Sequence, residues 1–325
     1  MENKNPQIAV GGQAVIEGVM MRGPQSIATA IRKKDNSILI KKEKFISLTK
    51  RNKFFGFPVI RGFVSLIEMM IIGFKTLSFS AEEAIKDEEK SKDEEPEKKK
   101  TKKFDKLYEI FSYVFAFGLA FLFFVFLPYR IAYWLDIEKT NFLFNIVKGL
   151  IQISFFVFYI FAISFLKDVR RLFEFHGAEH KSVFAYESNP DFTLEDTKIF
   201  STFHPRCGTS FIFIVLLIAI LVFSVFDTLL SAIFNLTLPL FTRIFLHLLL
   251  MPIISGISYE ILKFSGKNTN HWLVKIFSSP GLALQRITTK EPDEKQLEVA
   301  ICALHSALDM PILSQNISYV DKNEN

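Results

Sequence analysis

Hydrophobic and polar positions sort this chain into long apolar runs separated by shorter polar ones. Residues 110–127, 142–166, 210–226 and 238–262 are apolar nearly throughout, and each is about long enough to cross a hydrocarbon core as a helix. After the first run come Pro128, Tyr129, Arg130, Tyr133 and Trp134, the kind of aromatic belt that a membrane–water boundary favours. Arg243, His247, Pro252 and Gly256 fall inside the fourth. The pattern predicts a membrane α-helical protein with four transmembrane helices. Short connections at 136–141 and 227–237 join them as hairpins over 107–166 and 210–262.

A further apolar stretch, residues 54–79, carries Arg61, Glu68 and Lys75 at a spacing of seven, which places them on nearly one helical face. An acid at mid-bilayer costs about 2.5–3.5 kcal/mol. Residues 54–81 are therefore predicted to form an amphipathic helix lying in the interface, not a span. Residues 1–53 read as a small β unit. β-Branched residues alternate or cluster over 14–21 and 26–32, Arg22-Gly23-Pro24 breaks the pattern, and Lys34-Asp35-Asn36 is a hairpin turn before 37–42. Gly11, Gly12 and Gly18 point to tight turns or close approach. Glu17 and Arg22 are charges in an otherwise apolar stretch and read either as a surface salt bridge or as groups near a site.

Residues 82–106 are a Glu, Asp and Lys run around Pro96, too polar to bury a core, and are predicted to be a charged disordered linker. Residues 167–209 form a polar loop, and 263–325 a cytoplasmic α-rich segment. In that segment 271–277 is a short helix, 280–285 a turn, 288–293 a helix start with Thr as cap, and 297–308 carries a helical apolar stripe. From 314 the tail is polar and frayed.

Composition sharpens this picture. Half the residues are apolar, and the chain holds 37 Phe, concentrated in the runs. The net charge of +5 comes from basic residues clustered beside them, with no aromatic-interleaved basic face, so nucleic acid is not an expected partner and the lipid bilayer is. Lys102, Lys103 and Lys106, then Lys167, Arg170, Arg171, Lys181, Lys198 and Arg206, then Lys263 and Lys267 mark one side of the membrane. The positive-inside rule places the middle loop and both termini in the cytoplasm. Residues 1–6 are polar, and no signal peptide is expected. The two cysteines, Cys207 and Cys302, make no disulfide framework and would lie in a reducing compartment.

The candidate chemistry lies in the middle loop. His176-Gly177-Ala178-Glu179-His180 reads H-x-x-E-H, which puts both imidazoles on one helical face and Glu179 where a general base for water beside an ion would stand. His204-Pro205-Arg206-Cys207 adds another imidazole and a soft thiolate. Two His with His204 or Cys207 would suit a divalent metal, zinc by ligand type, with Glu179 catalytic or in support. Four ligands would instead close the site and make it structural. A hydrogen-bonded polar cluster without metal accounts for the same residues. Glu260 competes as a distant third ligand, or is a membrane-edge acid paired with Lys263 or a basic residue of the middle loop. Arg243 is expected to pair with Asp227, and His247 to hydrogen-bond to a neighbouring helix.

Gly11-Gly12-Gln13-Ala14-Val15-Ile16-Glu17-Gly18-Val19-Met20-Met21-Arg22-Gly23-Pro24 resembles the opening of the YqhQ-like family of bacterial polytopic membrane proteins. Phe175 to Lys181, His204 to Ser210, Ile257-Ser258-Tyr259-Glu260 and Thr288-Thr289-Lys290-Glu291-Pro292 resemble further blocks of that family, so the likeness runs through nearly the whole chain. It implies a multi-pass protein of the bacterial cell membrane and a predicted metal-dependent enzyme without an assigned reaction. The leading expectation is a metal-dependent hydrolase acting on a peptide or lipid-like substrate at the cytoplasmic face. The alternative is a non-enzymatic assembly or quality-control factor that engages other membrane proteins, with a structural His/Glu/Cys cluster.

Overall fold

The computed structural model describes residues 10–91, 102–135, 142–234, 239–267, 271–312, 314 and 316–320. At its amino end β1 (Gly11–Val15), β2 (Gly18–Arg22), β3 (Ser26–Arg32) and β4 (Ile38–Lys44) form an antiparallel meander, with Met20 opposite Gln13 and Thr29, and Ala30 opposite Ile40. Glu17 and Asn36 take the left-handed conformation that the two hairpin turns require. A Cβ on Gly18 would lie 2.1 Å from the Ala30 carbonyl, so only glycine admits this strand approach.

Both faces of the sheet are covered. Val19, Met21, Ala28, Ala30, Ile38 and Ile40 pack on two helices from later in the chain, while Val15, Met20 and Ile27 pack on Ile72 and Met69 of another. Burial on both sides explains why these strands read as continuous apolar clusters rather than clean alternations.

After α1 (Leu48–Arg51) and a 3-10 turn at Phe54–Gly56, α2 runs from Ile60 to Ser91. It starts later than the 54–81 helix predicted above and reaches ten residues into the stretch read as a linker. The reason is a partner distant in sequence: Lys33 Nζ lies 2.8 Å from both Glu83 Oε2 and Asp87 Oδ1. Residues 92–101 of that linker lie outside the described residues, and α3 already begins at Lys102.

The polar face of α2 follows the β unit for most of its length. Glu68 accepts from Ser47 Oγ at 2.7 Å and from the Leu48 N–H at 2.5 Å. Gln13 Nε2 donates to Thr76 Oγ1 at 2.9 Å, and the Ile16 N–H to Ser80 Oγ at 3.1 Å. Ile67, Met70, Ile71 and Phe74 are exposed on the helix.

α3 (Lys102–Phe121) passes through a π-turn at Leu122–Phe126 into α4 (Leu127–Trp134). Pro128 has no N–H to give the preceding turn and its ring crowds the carbonyl four residues back, which is where the helix widens. α5 (Phe142–Ile163) leads into α6 (Lys167–Ser188) and the short α7 (Leu194–Lys198). α8 (Gly208–Phe234) and α9 (Leu240–Lys267) complete the bundle. Gly149 lets α5 close on α8, since a Cβ there would meet Ile220 at 2.4 Å.

Among the described residues, five helices are long and apolar enough to cross a membrane: Ile60–Glu89, Phe111–Trp134, Phe142–Ile163, Gly208–Phe234 and Phe241–Ser265. The chain is thus a predominantly helical membrane protein with an amino-terminal sheet, and α2 adds a fifth candidate to the four apolar runs. The 136–141 connection lies outside the described residues. Of 227–237, the part to Phe234 belongs to α8.

The carboxyl-terminal segment differs from expectation in three places. α10 (Trp272–Thr288) is one helix that carries Pro280 internally, so 280–285 is not a turn. α11 (Glu294–Ala307) is capped by Asp293 in a reciprocal box with Gln296, not by Thr288. The tail is not frayed throughout: β5 (Ile317–Tyr319) adds to β4 in parallel, Ile38 opposite Ile317, so the sheet draws on both ends of the chain.

Candidate metal centre

α6 leaves the membrane domain and presents one buried face, which includes Phe175, Ala178, Glu179 and His180, to the sheet and α11. The rings of His176 and His180, one turn apart, have centroids 4.5 Å from each other. Each ring is held from outside by a backbone carbonyl. His176 Nδ1 donates to Thr288 O at 2.8 Å, and His180 Nδ1 to Thr202 O at 2.5 Å. A carbonyl only accepts, so each Nδ1 carries a proton and each ring turns its Nε2 inward.

Gly177 makes the first of these contacts possible. A Cβ there would sit 2.0 Å from the Lys290 carbonyl, and the Lys290 N–H donates to Phe173 O at 2.9 Å. The segment after α10 therefore lies directly on α6 and carries Thr288 to His176. Gly177 is a packing requirement, beyond its cost as a weak helix former.

Cys207 precedes the first turn of α8 and is buried. Its Sγ lies 3.2 Å from His176 Nε2, with Thr209 Oγ1 at 3.1 Å. The ligand atoms of His176, His180 and Cys207 all fall within 4.8 Å of one another. Zinc held tetrahedrally at about 2.0–2.3 Å sets its ligand atoms roughly 3.3–3.6 Å apart, so the His176–Cys207 pair already has about that spacing and the more distant atoms would have to close on it. His180 Nε2 is buried with no hydrogen-bond partner among the described residues. A buried nitrogen left this way is costly unless something coordinates it, so the donor set fits a divalent ion.

Glu179 borders the same space. The Gly12 N–H donates to its Oε1 at 2.8 Å, while Oε2 lies 3.4 Å from His180 Nε2. Gly12 admits no side chain, because a Cβ would lie 2.2 Å from the Met20 carbonyl. Its place beside the site was foreshadowed only by the Gly-Gly pair.

His204 does not join the three converging atoms. Its ring centroid is 5.6 Å from that of His180, and its Nε2 faces Glu187 at 3.7 Å. Burial pushes its pKa below the usual histidine value, against the opposing field of Glu179. Gln285, fully buried, clamps the loop: its Oε1 accepts from the His204 N–H at 2.8 Å and its Nε2 donates to His204 O at 2.9 Å and Ser210 Oγ at 3.0 Å. Nothing in the local sequence marks Gln285, or the carbonyls of Thr202 and Thr288, as parts of this site.

The remaining candidates lie elsewhere. Glu260 is a paired acid, but its partner is neither Lys263 nor a middle-loop base: Arg61, 199 positions away, holds it through Nε at 2.6 Å and Nη2 at 2.5 Å. Glu17 and Arg22 do not pair with each other. Glu17 makes a two-point contact with Arg171. Arg22 lies 3.7 Å from Glu68 and over the Phe45 ring. Cys302 is buried under the sheet, where burial, with Glu298 adding, pushes its thiol up to about 12.

Residues 57–310 match a family described as a protein of unknown function (DUF1385). The chain is also 33% identical over 313 residues to a Bacillus subtilis (strain 168) protein described as "Uncharacterized protein YqhQ", a match covering 94% of each. No solved structure matches.

Proposed function

The chain belongs to the DUF1385 family of proteins of unknown function, and from that premise we propose that it is a membrane-embedded, metal-dependent hydrolase. His176, His180 and Cys207 hold a divalent ion, zinc by the softness of the set, at the inner face of the membrane domain. The observation that carries this reading is the convergence on His180 Nε2, buried and without a hydrogen bond among the described residues, of a second imidazole and a thiol, with Glu179 Oε2 at 3.4 Å. Bound there, such an ion would supply Lewis acidity for hydrolysis. Glu179 Oε2, beside His180 Nε2, would stand as the proton acceptor next to it. Its Oε1 is fixed by the Gly12 N–H, so the carboxylate is oriented before any substrate arrives.

The architecture we propose keeps four spans, with α2 in the interface. From Glu68 to Asp87 its polar side chains bond to the β unit, while Ile67, Met70, Ile71 and Phe74 are exposed, as a helix lying between a soluble sheet and lipid requires. With the basic flanks cytoplasmic, the centre meets peptide or lipid-like substrates at the inner surface of the bacterial membrane.

The test is Glu179→Gln in proteoliposomes. The amide keeps the oxygen that accepts from Gly12. Metal content should stay unchanged, while hydrolysis across panels of peptide and ester substrates falls by about 10²–10⁴. Equal hydrolysis in both proteins would end the enzymatic reading. The burial of Glu179, His180, His204 and Cys207 favours a second reading, a structural metal that ties α6 to the loop before α8 and to the end of α10. In that case Glu179→Gln is silent, and a chelator loosens the fold.

A further inference from the structure

A second polar cluster lies at the other end of α8, about 30 Å from Cys207 at the rise of an α-helix. Asp227 is buried there and takes His247 Nε2 at 2.9 Å on one oxygen, with Arg243 Nε at 3.4 Å from the other. Beside it, between α5 and α8, is a cavity of about 160 Å³ lined by Asn145, Lys148, Gly149, Gln152, Leu216, Phe223 and neighbouring apolar residues. Lys148 Nζ donates to Asn145 Oδ1 at 3.0 Å. That bond turns the Asn145 amide so that its Nδ2 is buried with no partner among the described residues, in a side chain only 1% exposed.

The lining is unbalanced in two independent ways. Of its three polar side chains, half-buried Lys148 offers an ammonium and buried Asn145 an orphan amide N–H, Gln152 is the third, and no carboxylate is among the described lining residues. The charge is unmet as well: among the described residues Lys148 Nζ makes no ion pair within 4 Å, and its hydrogen bond goes to the neutral amide of Asn145. A surplus cation and an unmet donor in an apolar bundle are both relieved by one acceptor that carries negative charge. Lys148 lies in the second turn of α5, about 9 Å along the helix from Phe142, within reach of the headgroup region.

We infer that this cavity binds a small anionic group of phosphate type, held by Lys148 Nζ and Asn145 Nδ2. The headgroup of a lipid with net negative charge and a free inorganic anion share that chemistry. The site is separate from the metal centre and stands whether or not that centre is catalytic.

The experiment is thermal unfolding of the full chain in nanodiscs at constant ionic strength, with bulky gluconate as the balancing anion. One arm titrates inorganic phosphate in phosphatidylcholine discs, and the other replaces part of that lipid with phosphatidylglycerol. Wild type should gain a few degrees in at least one arm. A gain in the first identifies a free anion, and a gain only in the second a headgroup. Asn145→Asp places a tethered carboxylate beside Lys148, so it should start from a higher midpoint and lose the response. Lys148→Met should lose the response from a lower midpoint. If that variant does not fold, Asn145→Asp decides alone. No gain in wild type, or an undiminished gain in Asn145→Asp, would overturn the proposal.

Discussion

The two buried polar clusters at opposite ends of α8 use histidine in opposite ways. At the membrane-domain end, His247 gives its Nε2 to Asp227 and its ring face to Phe223, stacked with centroids 3.9 Å apart. At the other end, His176 and His180 give only Nδ1, to backbone carbonyls, and turn Nε2 toward each other and Cys207. The first cluster ties helices together through side-chain pairs. The second is arranged from outside, by backbone carbonyls. His305 sharpens the contrast: its Nδ1 also meets a carbonyl, that of Pro311, and its Nε2 is also buried without a partner among the described residues. It faces Phe192, not a second ligand. An orphan nitrogen becomes a ligand candidate only where others converge on it.

The largest expected effect belongs to the self-contained cluster. Asp227→Ala removes the carboxylate shared by Arg243 and His247, and losing one member of a buried ionic set costs about 3–5 kcal/mol. Denaturant unfolding in detergent should show this loss, and added zinc should not restore it.

His180→Ala comes next and should act the other way round. Metal affinity falls by at least about 100-fold, the upper end of what even outer-sphere changes cost. Metal-free wild type and variant should unfold at nearly the same denaturant concentration. A large stability loss without metal would make the His pair structural, like Asp227.

Gly177→Ala probes how the outer carbonyls are held. The new methyl meets the Lys290 carbonyl, and overpacking of this kind costs about 1–3 kcal/mol. It also moves Thr288 from His176, so zinc affinity measured by competition should fall by about 10-fold or more.

The smallest effect is a pH dependence. Burial lowers the pKa of His305, against the opposing pull of the Pro311 carbonyl. The unfolded chain therefore takes up a proton before the folded one does. The stability present above the ordinary histidine value of about 6.5 is lost as pH falls toward the lowered folded value. His305→Gln should flatten that part of the midpoint-against-pH curve and leave the region above pH 7 unchanged.

The apolar runs were legible because hydrophobic length alone carries the membrane signal, and the shared face of His176 and His180 because helical spacing fixes it. What escaped the sequence depends on partners far along the chain. The charged end of α2 is helical through its pairing with Lys33, and Ile317–Tyr319 is a strand only because β4 offers an open edge. Glu260 left the contest for the site through Arg61, and His204 through a loop clamped by Gln285. Choosing between His204 and Cys207 requires the path of that loop, which no local pattern encodes.

The central claim is best tested by elemental analysis with X-ray absorption on the purified full chain, wild type beside His176→Ala and Cys207→Ser. We expect one zinc per chain, with two nitrogen neighbours at about 2.0–2.1 Å and one sulfur at about 2.3 Å. The sulfur shell should vanish in Cys207→Ser and the metal should fall away in His176→Ala. A wild-type protein without stoichiometric metal, or metal retained with an unchanged shell in both variants, would contradict the account.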